Sequence, residues 1–445
     1  DTTGLTFNMY LDITSIATEL KDVSFRYEFY KGTTKLKEGN FSDTYLNSNT
    51  ADCSTNSTKH ITLLTNESIS TSNTNYTLYI WIDGANYVNP STMMGKEFSF
   101  KLHADGAGAL LYKPTAVETI TKLYTNASKT AVTNNSITYN TAPSVSLMND
   151  RLGGTTTDLD GGNIRYYGAS PNNYIYFNCS DYSNQSSSTC ETWRIIGVFD
   201  GKVKIMRNES IGSYAWDNKN TSTGVDSDYG KNDWTTARLM KLLNSSDYYT
   251  IDPNDNGLGQ SLYWNSESGK CYSGSDNATT NCDFTSTGIK NDATRNLISE
   301  ETWNLGAWNA SEIYSNQIYS YERGTTVYSG MPTTWKGKIA LAYPSDYGYA
   351  ADLSKCTGTL YGYDVSTCTS NSWMKKILGT SAYGWLLTPN FKNVFGAWRV
   401  SSTGLVSHSN ILAFGYGVTP VLYLNYNLKF KLGNGSSTNP YQLSV

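Results

Sequence analysis

Six of the seven cysteines are spaced as three close pairs, and this pattern constrains the fold more than any other feature of the sequence. Each pair encloses a short stretch rich in Ser, Thr, Asn and Gly: Cys179 and Cys190, Cys271 and Cys282, and Cys356 and Cys368. Because these stretches are too flexible for a metal site and no Cys-x-x-Cys occurs, we predict three local disulfides, each contributing about 3 kcal/mol. Six free thiols are the alternative. Cys53 is left as a free thiol or as an intermolecular link.

Disulfides persist in oxidising environments, so the cysteine pairs predict an extracellular, cell-surface location. The start at Asp1, without Met or an apolar leader, is expected of a processed, secreted form or of a chain trimmed for expression. No stretch approaches 18 consecutive apolar residues, so no membrane span is predicted. The net charge is -4, and the sequence contains no Lys/Arg cluster that could bind along a phosphate backbone. Both observations argue against a nucleic-acid partner.

The composition is typical of a folded, β-rich surface protein. Charged residues make up 16% of the chain, and it contains 35 Tyr and 11 Trp. Disordered chains have few aromatic residues and a high net charge, whereas Tyr and Thr suit the half-buried face of a sheet. The length of 445 residues predicts three domains, or two if one is large, each with its own core.

Residues 1–104 show the period of strands with one buried face. In the first run, apolar residues alternate with polar ones: Leu5, Phe7, Met9, Leu11 and Ile13. Similar runs follow at residues 25–29, 60–64, 76–82 and 98–102. Strands at this spacing, separated by turns rich in Gly and Asn, predict an all-β sandwich.

Residues 105–145 are predicted to form a linker with one helix. Thr115 and Glu118 have the Thr-x-x-Glu spacing of a capping box, and an apolar stripe begins at Val117. The stretch 127–143 is rich in Thr and Asn, which is typical of a tether.

Residues 146–445 combine strand and helix patterns, which predicts a large α+β, mostly β domain. The stretch 161–168 leads into three predicted strands of a meander at 174–177, 193–199 and 202–206. A further strand is predicted at 335–344, and helices are predicted at 234–243, near 294–298 and at 373–378. Within the β-rich stretch 385–424, residues 397–407 flank a Ser-Thr-Gly turn and predict a hairpin. Residues 417–424 predict a buried closing strand.

Six motifs in this domain together suggest a family: I-R-Y-Y-G-A-S-P-N-N-Y-I-Y-F-N-C from Ile164, W-R-I-I-G-V from Trp193, W-T-T-A-R-L from Trp234, K-I-A-L-A-Y-P-S-D-Y-G-Y-A from Lys338, W-L-L-T-P from Trp385 and Y-G-V-T-P-V-L-Y-L from Tyr416. They resemble a domain common in surface proteins of gut Firmicutes and mycoplasma-like bacteria. That domain is similar to the C-type-lectin-fold superfamily, which includes formylglycine-generating enzymes and retroelement-diversified receptors. In the family's closing motif an Arg usually stands at the position of Thr419.

The resemblance implies a C-type-lectin-like domain over about residues 160–445, with recognition by loops at one end of the fold. The preceding module resembles the β-sandwich modules that stand before such domains and, more loosely, camelysin-like fibre proteins. Together these expectations give an amino-terminal β-sandwich, a helical linker and a C-type-lectin-like domain with three local disulfides.

The residues predict no catalytic site and no cofactor. His60, His103 and His408 lie in separate segments, and neither H-E-x-x-H nor G-x-S-x-G occurs. Asp252, Asn254 and Asp255 offer oxygen atoms near one another, so they are the candidate calcium ligands, with an ordinary Asx-turn loop as the alternative. The spacing is not that of an EF-hand.

Aromatic and polar residues in loop-like stretches are the candidate ligand-binding residues: Trp216, Tyr347, Tyr349, Phe391, Phe395, His408 and Asn410. The alternative is that the aromatic rings form a small core beneath long loops.

The leading functional hypothesis is a secreted bacterial surface protein that assembles with copies of itself into an extracellular fibre. In this hypothesis the strand from Leu5 to Ile13 completes the sheet of a neighbouring copy, and the lectin-like domain is displayed for adhesion to a glycan or protein. The alternative for the strand is a place in its own sheet. The alternative functions are a non-polymerising adhesin module and, more remotely, an oxidase of the formylglycine-generating type, which requires reactive thiols.

Overall fold

The computed structural model describes residues 6–52, 59–69, 74–86, 90–106, 113–220, 229–251, 257–380 and 383–445. The chain divides into two compact units, Asp1–Lys113 and Pro114–Val445. Five residues singled out above lie outside the described residues: Leu5, Cys53, Asp252, Asn254 and Asp255. The predicted fold class is confirmed, because the chain is mostly β, with short helices and three disulfides.

The first unit consists of two antiparallel sheets. Its strands are β1 (Thr6–Ile16), β2 (Phe25–Lys31), β3 (Thr34–Asn40), β4 (Thr50–Asp52), β5 (Lys59–Ser68), β6 (Tyr76–Ile82) and β7 (Phe98–Asp105), and its helices are α1 (Asp43–Asn49) and α2 (Pro90–Met93). One sheet has the order β4-β5-β1-β7 and the other the order β3-β2-β6. All five predicted runs of alternating residues are strands.

The alternation in β1 fills the core of this unit. Leu11 and Ile13 pack with the buried side chains of Tyr27 and Phe29 from the other sheet. β1 pairs antiparallel with β5 on one side and with β7 on the other, so Phe7, Met9, Leu11 and Ile13 belong to an inner strand of their own sheet. Their role in fibre assembly stays a prediction.

The second unit holds the remaining elements. Its strands are β8 (Thr130–Asn134), β9 (Ile137–Ala142), β10 (Leu147–Asn149), β11 (Ile164–Tyr166), β12 (Tyr174–Phe177), β13 (Glu191–Phe199), β14 (Lys202–Arg207), β15 (Ser213–Ala215), β16 (Ser268–Tyr272), β17 (Thr279–Asp283), β18 (Glu301–Asn304), β19 (Thr334–Gly337), β20 (Ile339–Ala340), β21 (Gly384–Pro389), β22 (Gly396–Val400), β23 (Val406–Asn410), β24 (Gly415–Gly417), β25 (Val421–Tyr423), β26 (Lys429–Leu432) and β27 (Gln442–Ser444). Its helices are α3 (Ala116–Asn126), α4 (Arg151–Gly154), α5 (Arg238–Leu243), α6 (Leu262–Asn265), α7 (Asp292–Leu297), α8 (Ser315–Glu322), α9 (Pro344–Tyr349) and α10 (Ser366–Thr369).

The main sheet has the order β20-β25-β14-β13-β11-β10-β9-β8, with β12 also paired to β13. The predicted tether is wrong, because residues 130–142 form the β8–β9 hairpin at the end of this sheet. The predicted capping box is present: Glu118 N donates to Thr115 Oγ1, and Thr115 N donates to the Glu118 carboxylate. Helix α3 buries Ile120 and Tyr124 in the core of the second unit.

The second sheet has the order β15-β24-β21-β22-β23. Its β22–β23 hairpin contains the predicted turn, and Trp398 pairs with His408 across it. The predicted helix 234–243 is shorter than expected, since α5 begins at Arg238 after an Asx turn in which Asp233 accepts from Thr235 N. The predicted closing strand is β25, which joins the main sheet rather than this one.

The three predicted disulfides are confirmed. They join Cys179 to Cys190, Cys271 to Cys282 and Cys356 to Cys368. The second disulfide links the paired strands β16 and β17. Within the part of the chain that the structure describes, no helix has the length and apolar character to span a membrane.

A buried ionic cluster lies in the core of the second unit. Arg165 Nε is 2.6 Å from Asp150 Oδ2, and Arg165 Nη1 is 2.8 Å from Asp346 Oδ1. Lys204 Nζ is 2.5 Å from the other Asp346 oxygen. Burial lowers the pKa of Lys204 to about 8. Burial alone would raise the pKa of Asp346, but Lys204 and Arg165 lower it to about 2. The cluster therefore holds opposite charges away from water and ties α9 to β11 and β14.

Candidate functional site

Four of the seven candidate ligand-binding residues lie in the β21–β22 loop and on the neighbouring strand β23. Phe391 and Phe395 are half-buried in the loop between β21 and β22. His408 and Asn410 lie on β23, the former half-buried and the latter exposed. Since β22 and β23 pair, and Gly396 pairs with Asn410, the loop and the end of β23 are neighbours.

For the other three candidates, the prediction of an exposed ligand-binding side chain is wrong. Trp216 is 0% exposed and donates through Nε1 to the Leu386 carbonyl. Tyr347 is 1% exposed and donates to the Gly404 carbonyl. Tyr349 is 0% exposed and lies over Arg165. Each ring is buried because core packing stabilises its apolar surface while a neighbour accommodates its polar atom.

The buried Asn232 side chain contributes to holding loop 390–396 in place, together with the loop's own backbone hydrogen bonds. Asn232 Nδ2 lies 2.8 Å from the Asn390 carbonyl oxygen, 3.0 Å from that of Asn393 and 2.7 Å from that of Gly396, so its two N–H groups are shared among three acceptors. The Asn232 backbone N–H donates to Val394 O at 2.8 Å. Asn390 and Asn393 also accept from backbone N–H groups two residues later, as Asx turns do. Phe391 and Phe395 therefore stand on a fixed support.

Five half-buried aromatic residues form what we call the aromatic ledge: Tyr229, Trp308, Tyr321, Phe391 and Phe395. The rings of Trp308 and Tyr321 stack with centroids 3.7 Å apart and an interplanar angle of 17°. Phe391 adjoins Trp308 at 5.8 Å. On the other side of the loop, Phe395 meets Tyr229 edge-on at 6.2 Å. The ledge presents large apolar ring surface that is incompletely covered by the protein.

A groove of about 930 Å³ begins at Tyr229. Its polar lining includes three carboxylates and several hydroxyl and cationic groups: Asp217, Lys219, Lys231, Asp233, Thr235, Thr236, Arg238, Lys241, Asp247, Tyr248 and Tyr249. Arg238 is fixed by hydrogen bonds to Asn218 Oδ1 and Asn277 Oδ1 and by the ring of Tyr272. The groove thus offers both donors and acceptors next to an aromatic surface.

His408, on the strand β23 next to the β21–β22 loop, adds a neutral polar group. Burial lowers the pKa of its imidazole, and the Arg399 charge acts in the same direction, while a hydrogen bond with the Asn309 backbone opposes them. Since its ordinary pKa is 6.5, the ring is neutral at pH 7, and one of its polar atoms is already engaged by the Asn309 backbone.

The described residues provide little basis for metal or thiol chemistry. In the ranges that the structure describes, no three His, Cys, Asp or Glu side chains are grouped as metal ligands. The candidate calcium ligands Asp252, Asn254 and Asp255 are outside those ranges. Six cysteines are bonded in pairs, so a thiol-dependent oxidase would have to rely on Cys53, which is also outside them.

Comparisons of the chain with protein-family models, with curated proteins and with solved structures found no match. The fold and the surface define a mostly β protein of two units with an aromatic ledge and an adjoining polar groove. The C-type-lectin-like assignment of the second unit stays a prediction.

Sequence reasoning missed Tyr229, Asn232, Trp308 and Tyr321. The sequence around Trp308 and Tyr321 shows aromatic residues in a loop and a helix, but nothing in it indicates that they stack. Asn232 donates to backbone carbonyls of residues that lie more than 150 positions later in the sequence. No local pattern could have identified that contact.

Proposed function

We propose that this protein is a secreted bacterial surface protein whose second unit binds a glycan at the aromatic ledge and the groove. The observation that carries the proposal is the pair of Phe391 and Phe395 on a loop clamped by Asn232, beside a groove with carboxylates. Aromatic rings pack against the apolar faces of sugar rings, and carboxylates accept hydrogen bonds from sugar hydroxyls. A fixed loop also lowers the entropy lost on binding.

The extracellular location is supported by the three disulfides, which persist in oxidising compartments. The low share of charged residues and the many Tyr and Thr side chains also fit a surface protein. A cell-surface protein with a rigid ligand face would serve adhesion.

Binding is tested first with an array of host and bacterial glycans, followed by titration of the best glycan. Phe391→Ala and Phe395→Ala should each weaken binding about five- to tenfold, because a stacked ring contributes on the order of 1 kcal/mol. Tyr426→Ala is the matched control, since Tyr426 is 69% exposed and outside the ledge. An array without a binding glycan, or ledge variants that bind as tightly as the control, would refute the proposal.

A fibre subunit is the second candidate. Because β1 lies between β5 and β7 of its own sheet, strand donation would require β1 to leave that place. Withdrawal of β1 would open a slot between β5 and β7 that β1 of another copy could fill with the same hydrogen bonds. Strand exchange of this kind would link copies into an assembly that displays the ligand face.

Strand exchange is tested by locking β1 to its own sheet. Tyr10 and Thr62 are cross-strand partners, so Tyr10→Cys with Thr62→Cys, in a Cys53→Ser background, should form a disulfide within one chain. Filaments should appear in electron micrographs of the Cys53→Ser parent and be absent from the oxidised locked protein. Equal filaments in both samples, or none in the parent, would exclude exchange of β1.

A further inference from the structure

Strand β7 has an open edge. It pairs with β1 on one side, and none of the described residues forms a strand on its other side. The backbone N–H and C=O groups on such an edge can pair with a strand of another chain.

The inner face of β7 is also incompletely covered. Phe100 and Leu102 are the cross-strand partners of Ile13 and Leu11 and so point to the same side of the sheet. Leu11 and Ile13 are 0% and 9% exposed, whereas Phe100 and Leu102 are 42% and 53% exposed. A four-stranded sheet packs here against a three-stranded one, so its end strand keeps apolar surface in contact with water.

The outer face of β7 has a self-complementary charge pattern. Lys101, His103 and Asp105 follow one another on this face, with a positive and a negative charge at equal distances from the central His103. In its own sheet Lys101 lies opposite Asp12, and Asp105 accepts a hydrogen bond from the Asn8 side chain at 3.1 Å. An ammonium group has three donors and a carboxylate accepts several bonds, so both can take a further partner.

We propose that β7 pairs antiparallel with β7 of a second copy of this chain, about a twofold axis at His103. In this register Lys101 of each copy lies opposite Asp105 of the other, which gives two ion pairs. Leu102 of each copy lies opposite Ala104 of the other, on the apolar face. The contact closes both open edges at once and joins the two sheets into one. It is independent of the ligand-binding proposal and requires no strand exchange.

Charge reversal tests this register. Lys101→Asp alone and Asp105→Lys alone each place like charges opposite one another twice, so each should raise the dimer dissociation constant about tenfold or more. A mixture of the two variants should restore dimers, because every pair then joins opposite charges. The double variant should also dimerise. Analytical ultracentrifugation measures the dissociation constants, and thermal unfolding checks that each variant is folded.

A cross-link tests the geometry without a change of charge balance. In a Cys53→Ser background, His103→Cys should give a disulfide-linked dimer, since directly opposite residues in an antiparallel pair are close enough for one. Ser99→Cys, four residues away on the same face, should remain uncross-linked because it does not face its counterpart. A wild-type protein that stays monomeric over the measurable concentration range overturns the proposal. So do single variants that dimerise like wild type, or Ser99→Cys cross-links as strong as those at residue 103.

Discussion

Asp346→Asn is the substitution for which the structure makes the strongest stability prediction. The Asp346 carboxylate accepts from Arg165 and Lys204 and from the Tyr343 backbone N–H at 3.1 Å. Its side chain and those of Lys204 and Arg165 are 0%, 0% and 1% exposed. The substitution keeps the size of the side chain and one acceptor oxygen but removes the charge. Lys204 then loses its ion-pair partner, and Arg165 keeps only Asp150.

The expected loss in the free energy of unfolding is about 3–5 kcal/mol, because removal of one partner leaves an uncompensated charge in the core. The loss should depend on pH. Burial already depresses the folded-state pKa of Lys204 to about 8, and without Asp346 it falls further. A lysine with a depressed folded-state pKa contributes stability that rises with pH, since the unfolded state binds the proton more tightly. The difference from wild type should therefore narrow as the pH rises toward 8, because the variant's Lys204 loses its proton in this range while that of the wild type keeps it. Above pH 8 the difference should change little, because Lys204 is neutral in both folded proteins.

Urea unfolding followed by tryptophan fluorescence measures this loss in the second unit, because all tryptophans except Trp81 lie there. Asp292→Asn is the matched control: it makes the same chemical change in an ion pair whose carboxylate is 89% exposed, and should cost less than 1 kcal/mol. A loss below 1 kcal/mol for Asp346→Asn, or a loss equal to that of the control, would show that the cluster does not stabilise the fold as argued.

Three further predictions concern the second unit. Burial raises the pKa of Glu322 from 4.5 to about 7, so wild-type stability should fall as the pH rises through this range. Glu322→Gln should remove this dependence of the urea midpoint on pH, measured at several pH values. An unchanged dependence on pH contradicts the prediction. Replacement of Cys271 and Cys282 by Ser should lower the free energy of unfolding by about 3 kcal/mol, and an unchanged urea midpoint contradicts this. Asn232→Ala removes the side-chain donor to the Asn390 carbonyl, and leaves the Asn393 and Gly396 carbonyls with only their backbone donors. It should weaken glycan binding about as much as Phe391→Ala while thermal unfolding shows the unit still folded.

Features that depend on neighbours in the chain could be read from the sequence. The alternation in β1, the capping box of Thr115 with Glu118 and the hairpin around residues 397–407 all follow from the period or turn chemistry of a few consecutive residues. The disulfides are of the same kind, because a short loop brings its two ends together whatever the rest of the fold does.

Features that depend on distant segments were decided by the tertiary structure. The polar stretch 130–142 has little apolar signal, and it is a hairpin because the end of the main sheet supplies partners for its backbone. Trp216 and Phe391 are both aromatic residues in loop-like sequence, yet Trp216 is buried through contacts with residues such as Leu386, far along the chain. The charge of Asp346 on helix α9 is tolerated only because Arg165 on β11 and Lys204 on β14 reach it. Burial and ionic pairing arise from contacts across the fold, so they cannot be read from one segment alone.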